Sequence, residues 1–299
     1  MRIFTNVKYI IMKSKIILTE RNSDIGGFTV GRLLPYRQKR MIGPFIFIDH
    51  MGPATVNPVR PFDIGQHPHI GLSTLTYLME GEILHKDSLG SNQVITAGDV
   101  NWMTAGDGVV HTEKAPDHLI GKEYSIHGYQ VWVALPLNKE DMEPSFHHIS
   151  KNDLPKWNDN ESEIILVAGK AFGKSSPVPV HSALYMIKTK TLENKGTINC
   201  GGLFGEFGIC PVEGNAHFEG ETIHPGEMLV VEEFNHEDIQ IESNSILMIF
   251  GGEPFAEKRY IDWNFVSSDK KKIDVAKKRW REKRFRMIGG ECSYVPLPK

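Results

Sequence analysis

Between residues 16 and 108 the chain runs as short apolar stretches cut by turns rich in Gly, Pro and Asp, the texture of strands rather than helices. In LSTLTYLMEGEILHKDSLGS (72–91), Leu75, Tyr77 and Met79 alternate with Thr74, Thr76 and Leu78, which is the two-residue period of a strand. Gly81 marks a turn and residues 83–85 start a returning strand, so 74–86 is predicted to be a hairpin. PFIFIDHMGP (44–53), QVITAGDVNWMTAGDGVVH (93–111) and HGYQVWVALP (127–136), the last ended by Pro136, complete a first group of strands. Residues 138–162 are polar, Pro-punctuated and without period, and are predicted to form a connector. Strands resume at 163–169, 183–191, 205–212, 226–233 and 245–254. Two groups of strands on either side of a connector point to a duplicated barrel.

A short internal echo agrees. ITAGDVNWM (95–103) resembles IHPGEMLVV (223–231), each with a glycine (Gly98, Gly226), an acid and then an apolar strand. A turn of this kind also arises by chance, so its use is to align the halves. Histidines stand 31 and 29 residues before Gly98 and 13 after it, and the same offsets from Gly226 fall on Lys195, Thr197 and Ile239. The second half is therefore expected to lack whatever those histidines do. Near the end, IDVAKKRWREKRFRM (273–287) places Ile273, Ala276, Trp280 and Met287 at helical spacing with Lys and Arg on the other faces. Ser268 or Asp269 stands where a cap belongs, so a helix is predicted over 267–288. Its basic face suits nucleic acid, an acidic partner or plain solvent, and an amphipathic helix docked on a barrel with that face solvated is the simpler reading.

Composition narrows the field. The 299 residues allow one large domain or two medium ones, and 40% hydrophobic residues suffice for a core. A net charge of −3 supplies no basic field for nucleic acid, and no direct nucleic-acid contact is expected. Cys200, Cys210 and Cys292 are odd in number, widely spaced and free of any CxxC, so they read as reduced, packed thiols. No apolar run reaches membrane-spanning length and the N-terminus lacks a signal-peptide pattern, so a cytoplasmic protein is expected. Met12 is a second candidate start, under which the first eleven residues are not native.

The chemistry concentrates in two short segments. His67-Pro68-His69 and His111-Thr112-Glu113 each place two metal-binding side chains at i and i+2, on one face of a strand. Pro68 removes a ladder donor, which sets its segment at a strand start or a sheet edge. If both segments lie in one barrel with those faces inward, three imidazoles and one carboxylate meet, a set suited to Fe, Ni, Cu, Mn or Zn rather than Mg or Ca. Other polar residues have plainer accounts. His147 and His148 lie in the connector and are expected to be solvated; Glu80 and Glu82 flank a turn; Trp102 and Met103 are core. His50 reads as a hydrogen-bonded core or rim histidine, and His127 as the same or as a residue behind a ligand. His85 and Asp87 face either solvent or the site.

The surrounding text resembles the pirin family of the cupin superfamily, through PFIFIDHMGP (44–53), HPHIGLSTLTYLMEGEILHKDSLGS (67–91), ITAGDVNWMTAGDGVVHTE (95–113), HGYQVWVALP (127–136) and GGEPFAE (251–257). The resemblance covers residues 26–265 and is densest in 44–136. It implies an all-β fold of two stacked cupin (jelly-roll-type) barrels with a C-terminal helical tail. A metal-bearing barrel is expected over 15–140, a metal-free one over 160–255, and the tail with its basic helix over 256–299. It implies that His67, His69, His111 and Glu113 bind one transition metal, Fe(II) ahead of Ni, Mn, Cu or Zn, with Glu113 doubling as a catalytic base. Typical relatives carry Arg, Glu and Arg where this chain has Ile70, Ser73 and Asp107, so anionic substrates are expected to be less welcome here. The activity implied is that of a quercetin 2,3-dioxygenase, with a small aromatic such as a flavonol and O₂ as reactants. The alternatives are a non-enzymatic, iron-bound redox sensor that regulates a protein partner, and a storage cupin without turnover.

Overall fold

The computed structural model describes residues 15–159, 161–233 and 237–298; Met12 and the residues before it lie outside these. Strands fold into two units of cupin type, each a large sheet facing a four-stranded one. In the first unit the large sheet runs Ser145–Ile149, Val100–Thr104, Leu72–Glu80, Tyr124–Ala134, Phe45–Val56, Thr29–Leu34, Arg21–Asp24. Facing it are Asp63–His69, Val109–Lys114, Glu82–Asp87 and Asn92–Thr96. The second unit repeats this order with Lys15–Thr19, Glu227–Val231, Glu206–Glu213, Ile246–Gly252, Leu184–Thr191, Ser162–Ala171 and Lys156–Asp159. Its smaller sheet is Gly196–Ile198, Ile239–Ile241, Ala216–Phe218 and Glu221–Ile223. Gly98 and Gly226 occupy the same place in the two units, each left-handed (φ 91° and 83°) just before Val100–Thr104 and Glu227–Val231. The echo in the sequence is a duplication in the fold.

The largest core lies between the two large sheets rather than inside either barrel. Leu75, Tyr77, Tyr129 and Val131 of the first unit pack there with Met186, Met228, Val230, Met248 and Phe250 of the second. Strand alternation turns the intervening residues into the barrels. The second barrel is filled by Ile198, Phe207, Phe218, Ile239 and Ile241. In the first, an apolar group around Met51, Leu78, Ile83 and Ile126 shares the interior with buried histidines and threonines.

Four expectations are corrected. Residues 74–86 are not a hairpin: Leu72–Glu80 joins the large sheet and Glu82–Asp87 the small one. Gly81, at φ 85° and with the Ser125 carbonyl 2.2 Å from where a Cβ would stand, is the corner where the chain changes sheets. The connector holds two edge strands, Ser145–Ile149 beside Val100–Thr104 and Lys156–Asp159 beside Ser162–Ala171. Too few of their residues are apolar to show a period. Lys15–Thr19, expected in the first barrel, pairs with Glu227–Val231 of the second, and Leu18 enters the core between the sheets. The helix is Lys270–Arg281, shorter than 267–288; the Asp269 side chain accepts from the Lys271 N–H and caps it. Ile273, Ala276 and Trp280 dock on Ile70, Val110 and Phe265, and Met287 follows the helix into the same cluster. Among the described residues no helix is long and apolar enough to cross a membrane. Cys200 and Cys210 are buried, which pushes both thiols up to about 12, while Cys292 is exposed.

At the seam between the units, His50 Nδ1 donates to Glu20 Oε1 (2.8 Å) and its Nε2 lies 2.9 Å from His127 Nε2. The Glu20 bond puts the His50 proton on Nδ1, so His127 is the donor to His50. His127 therefore leans on His50 rather than behind a candidate ligand. Burial first, and then the neighbouring His50, lower the His127 pKa from 6.5 to about 4. Acidification through that interval protonates the unfolded chain before the folded one, so stability held at neutral pH is lost as the pH falls from 6.5 towards 4. His127→Gln is expected to flatten the slope of unfolding free energy against pH in this window, by up to about 1.4 kcal/mol per pH unit. Urea unfolding at a series of pH values reads the slope, and an unchanged one would assign the acid sensitivity elsewhere.

Candidate metal centre

The strands Asp63–His69 and Val109–Lys114 are antiparallel neighbours, with His111 directly opposite His67. Between His111 and Glu113 the register slips, because Asp63–His69 holds one residue more than its partner, a bulge at Gly65-Gln66. The bulge presents the Gly65 carbonyl to His67 Nδ1 (2.8 Å). It also frees Gln66 to anchor the C-terminal tail: its side-chain amide donates to the carbonyls of Glu291 and Ser293 and its Oε1 accepts from the Ile288 N–H. Another turn supplies His69. Trp263 sits at φ 51°, a region bulky residues rarely occupy, and the next residue, Asn264, accepts from His69 Nδ1 at 3.1 Å. On the other side of Val109–Lys114, His111 is opposite Asp87 and Glu113 opposite His85.

These partners fix where the lone pairs point. A carbonyl only accepts, so His67 and His69 carry their protons on Nδ1 and turn bare Nε2 atoms inward. His85 Nε2 donates to Asp87 (3.1 Å), which leaves its Nδ1 to accept from His111 Nδ1 at 3.4 Å. His111 then also has a bare Nε2, and it lies 3.1 Å from that of His69. Two acceptors at that distance have no proton to share, and a cation satisfies both. Potential ligand atoms of His67, His69 and His111 all lie within 4.8 Å of one another, and a second, overlapping group joins His111, Glu113 and His85. The donor set fits a transition metal of the kind that accepts imidazole and carboxylate.

Burial governs the electrostatics. It depresses His67 to about 4 and holds His69 and His111 well below the ordinary histidine value, so all three stay neutral and able to ligate. The same burial pushes Glu113 up to about 7, against a weaker hydrogen bond from Thr76 (3.4 Å), whose hydroxyl also lies 2.9 Å from Gln130 Oε1. For Asp87, burial works against the charge, but hydrogen bonds from His85 and Ser91 outweigh it and keep the carboxyl below its usual value.

The histidines and Glu113 line a cavity of about 510 Å³ that is also bounded by Arg32, Phe47, Asp49, Trp132, Trp263, Asn264, Val295 and Pro298. His85 and Asp87, which sequence left between solvent and site, are buried; they stand behind His111 and are not among the described residues lining the cavity. Ile70, Ser73 and Asp107 were expected near the site and do not line this cavity. Alternation explains it: with His67 and His69 inward, Ile70 points out beneath the helix. Ser73 bonds Thr104, and the Asp107 carbonyl accepts from Arg279 of the helix. The contribution of the tail and of Asn264 had no local signal, since both come from far along the chain.

A duplicated jelly-roll with one polar, histidine-lined barrel and one apolar barrel is a bicupin with a candidate metal site in its first half. Residues 27–133 match the family described as Pirin, and residues 191–286 the Pirin C-terminal cupin domain. The chain is 41% identical over 288 residues to a pirin-like protein of Caulobacter vibrioides, covering 95% of this chain and 99% of that one. It belongs to the pirin family. A Pseudomonas aeruginosa protein provisionally named a quercetin 2,3-dioxygenase is 38% identical over 290 residues, 94% of this chain and 90% of that one. Among solved structures, a quercetin 2,3-dioxygenase from Acinetobacter baumannii superposes with a TM-score of 0.84 at 34% identity, covering 95% and 96% of the two chains. A bacterial pirin from Escherichia coli, solved in complex with nickel(II), shares the fold at a TM-score of 0.62 and 18% identity, over 81% of this chain and 100% of that one.

Asp87→Asn weakens the hold of His85 on His111 and is expected to loosen metal binding about 10- to 100-fold, with His69→Ala losing more. Competition against a chromogenic chelator measures both, and wild-type affinity in Asp87→Asn would remove the His85–Asp87 pair from the account of the site.

Proposed function

We propose that this pirin is an iron-dependent dioxygenase of quercetin 2,3-dioxygenase type, with His67, His69, His111 and Glu113 as the ligands of one metal in the first barrel. The observation that carries this reading is the convergence of His67, His69 and His111 within 4.8 Å of one another, with Glu113 joined to the cluster through His111, at a cavity of about 510 Å³. That volume suits a small aromatic ligand. A roomy barrel interior favours turnover over the redox-regulator and storage alternatives. The likeness to proteins named quercetin 2,3-dioxygenase supports the reaction class. Iron is assigned ahead of nickel, manganese, copper and zinc on the family resemblance.

When bound, the metal would supply Lewis-acid and redox chemistry to a substrate and dioxygen in this cavity. The chain does the rest. Glu113 offers a buried carboxylate to take the proton of an enolic hydroxyl, with the Thr76 hydroxyl 3.4 Å from its Oε1. Trp132, edge-on to His69 at 4.9 Å, and Phe47 give a planar substrate an apolar wall. The tail residues Val295 and Pro298 close part of the cavity against water.

Iron-loaded protein is expected to consume oxygen when given a flavonol, and to stop when a chelator strips the metal. Glu113→Gln preserves shape but not proton capacity, and should cut turnover by about 10²–10⁴ while iron is partly retained. An oxygen electrode with parallel iron analysis reads both. Full iron occupancy with no uptake on any flavonol or related enol would sink the dioxygenase and leave the regulator or storage reading.

A further inference from the structure

Away from the histidines, the cavity carries an ion pair that nothing in the proposed chemistry uses. Arg32 Nε and Nη2 each donate at 2.8 Å to the two oxygens of Asp49, a fork-to-fork pair with the Asp49 side chain 3% exposed and that of Arg32 26% exposed. The guanidinium lies 4.5 Å over the Phe47 ring, and the opposite face of Phe47 is stacked on Trp132 at 4.0 Å. Trp132 in turn meets His69. One wall of the cavity is therefore a continuous file from guanidinium to candidate ligand: Arg32, Phe47, Trp132, His69. Both faces of Phe47 are taken, so it offers the cavity its edge, and ring edges attract the π-face of a planar guest. Arg32 Nη1 has no hydrogen-bond partner among the described residues, although it belongs to a side chain that lines the cavity.

We propose that Arg32, held rigid by Asp49 and Phe47, is the specificity-determining residue of this cavity, reading a hydroxyl on the part of a planar aromatic substrate that lies farthest from the histidines. The inference rests on the cavity being the substrate site, as in the reading above. Rigidity matters because a pre-aimed donor loses little freedom on binding. The hydroxyl accepts from Nη1, while Asp49 has already neutralised most of the guanidinium charge. Asp24, Asp63 and Glu113 also line the cavity, and Arg32 is the one Lys or Arg among its described lining residues. The chemistry favours an uncharged, hydroxylated ring over a carboxylated one. The family departures at Ile70, Ser73 and Asp107 have no part in this preference, since they lie outside the lining.

The test is isothermal titration calorimetry on metal-loaded protein under argon, so that no turnover intrudes. Three flavonols serve as probes: quercetin, its analogue without hydroxyls on the pendant ring, and an analogue with a pendant-ring carboxylate. Wild type is expected to bind quercetin about tenfold more tightly than the unhydroxylated analogue, and more tightly than the carboxylate. Arg32→Lys keeps the charge for Asp49 but loses the fork, and should bring quercetin down to the level of the unhydroxylated analogue. Replacing Arg32 alone by an apolar residue strands a buried carboxylate. The double variant Arg32→Leu, Asp49→Leu is therefore the second probe, with metal content and melting temperature as folding checks, and should show the same lost preference. Equal affinity for quercetin and its unhydroxylated analogue in wild type, or a preference that survives in both variants, overturns the assignment to Arg32 and leaves the cavity reading standing. Failure of every flavonol to bind loaded wild type overturns the cavity reading, and this inference with it.

Discussion

The site depends on the register of two neighbouring strands. With His111 opposite His67, alternation carries His69 and Glu113 to the same side. A slip of one residue in either strand would turn its two members of the set outward and break up the cluster. The bulge at Gly65-Gln66 is the one irregularity in that pairing, and it performs two tasks at once. It aims a carbonyl at His67 and gives the C-terminal tail a place to bind. Each imidazole in the centre is oriented by an acceptor: the Gly65 carbonyl for His67, the Asn264 carbonyl for His69 and, with its proton on Asp87's side, His85 Nδ1 for His111. Preorganisation of this kind comes from backbone placement more than from side-chain choice.

The two units show what such a site asks of a fold. They share strand order, and their interiors differ in polarity: among the described residues, only the first adds a buried polar cluster of histidines and carboxylates to its apolar residues. The second encloses Ile198, Phe207, Phe218, Ile239 and Ile241 and needs no special partners. The first buries His67, His69, His85, Asp87, His111 and Glu113, groups that lose hydration on folding and must be compensated by hydrogen bonds. Stability for the pair is concentrated in the apolar seam between the large sheets, away from the chemistry. A protein arranged this way can keep a strained, polar pocket in one half while the other half stiffens the sheet behind it.

The candidate ligands stood out because strands translate i, i+2 spacing directly into one face, and because the family resemblance around HPH and HTE supplies the weight that a bare HxH lacks. The duplication was legible for a related reason, since Gly98 and Gly226 mark turns that need left-handed backbone. Sheet partnership was not. The alternation in 72–91 identifies strands on either side of Gly81 but is silent on the corner between them, which exists because the Ser125 carbonyl leaves no room for a side chain. Phe146 and Ile149 were too sparse to reveal an edge strand, yet Phe146 stacks on His85 at 4.4 Å. The charge argument built on Ile70 and Asp107 went astray because closeness in sequence to a ligand says nothing of direction. Arg32 and Asp49, distant from the histidines in sequence, are the charged pair that does line the cavity.

The placement of Lys15–Thr19 has a consequence for how the two halves can be separated. The strand completes the edge of the second unit's large sheet, while Arg21–Asp24, two residues on, already belongs to the first. Residues 15–24 thus stitch the units together. A fragment beginning in the stretch between them would leave the backbone of Glu227–Val231 uncovered, with Met228 and Val230 facing outward from a raw sheet edge. Such an edge pairs readily with another copy. The bicupin is therefore a single cooperative body in its topology, and the second unit, despite its complete barrel, is not a module that can be cut free at the boundary the linker suggests.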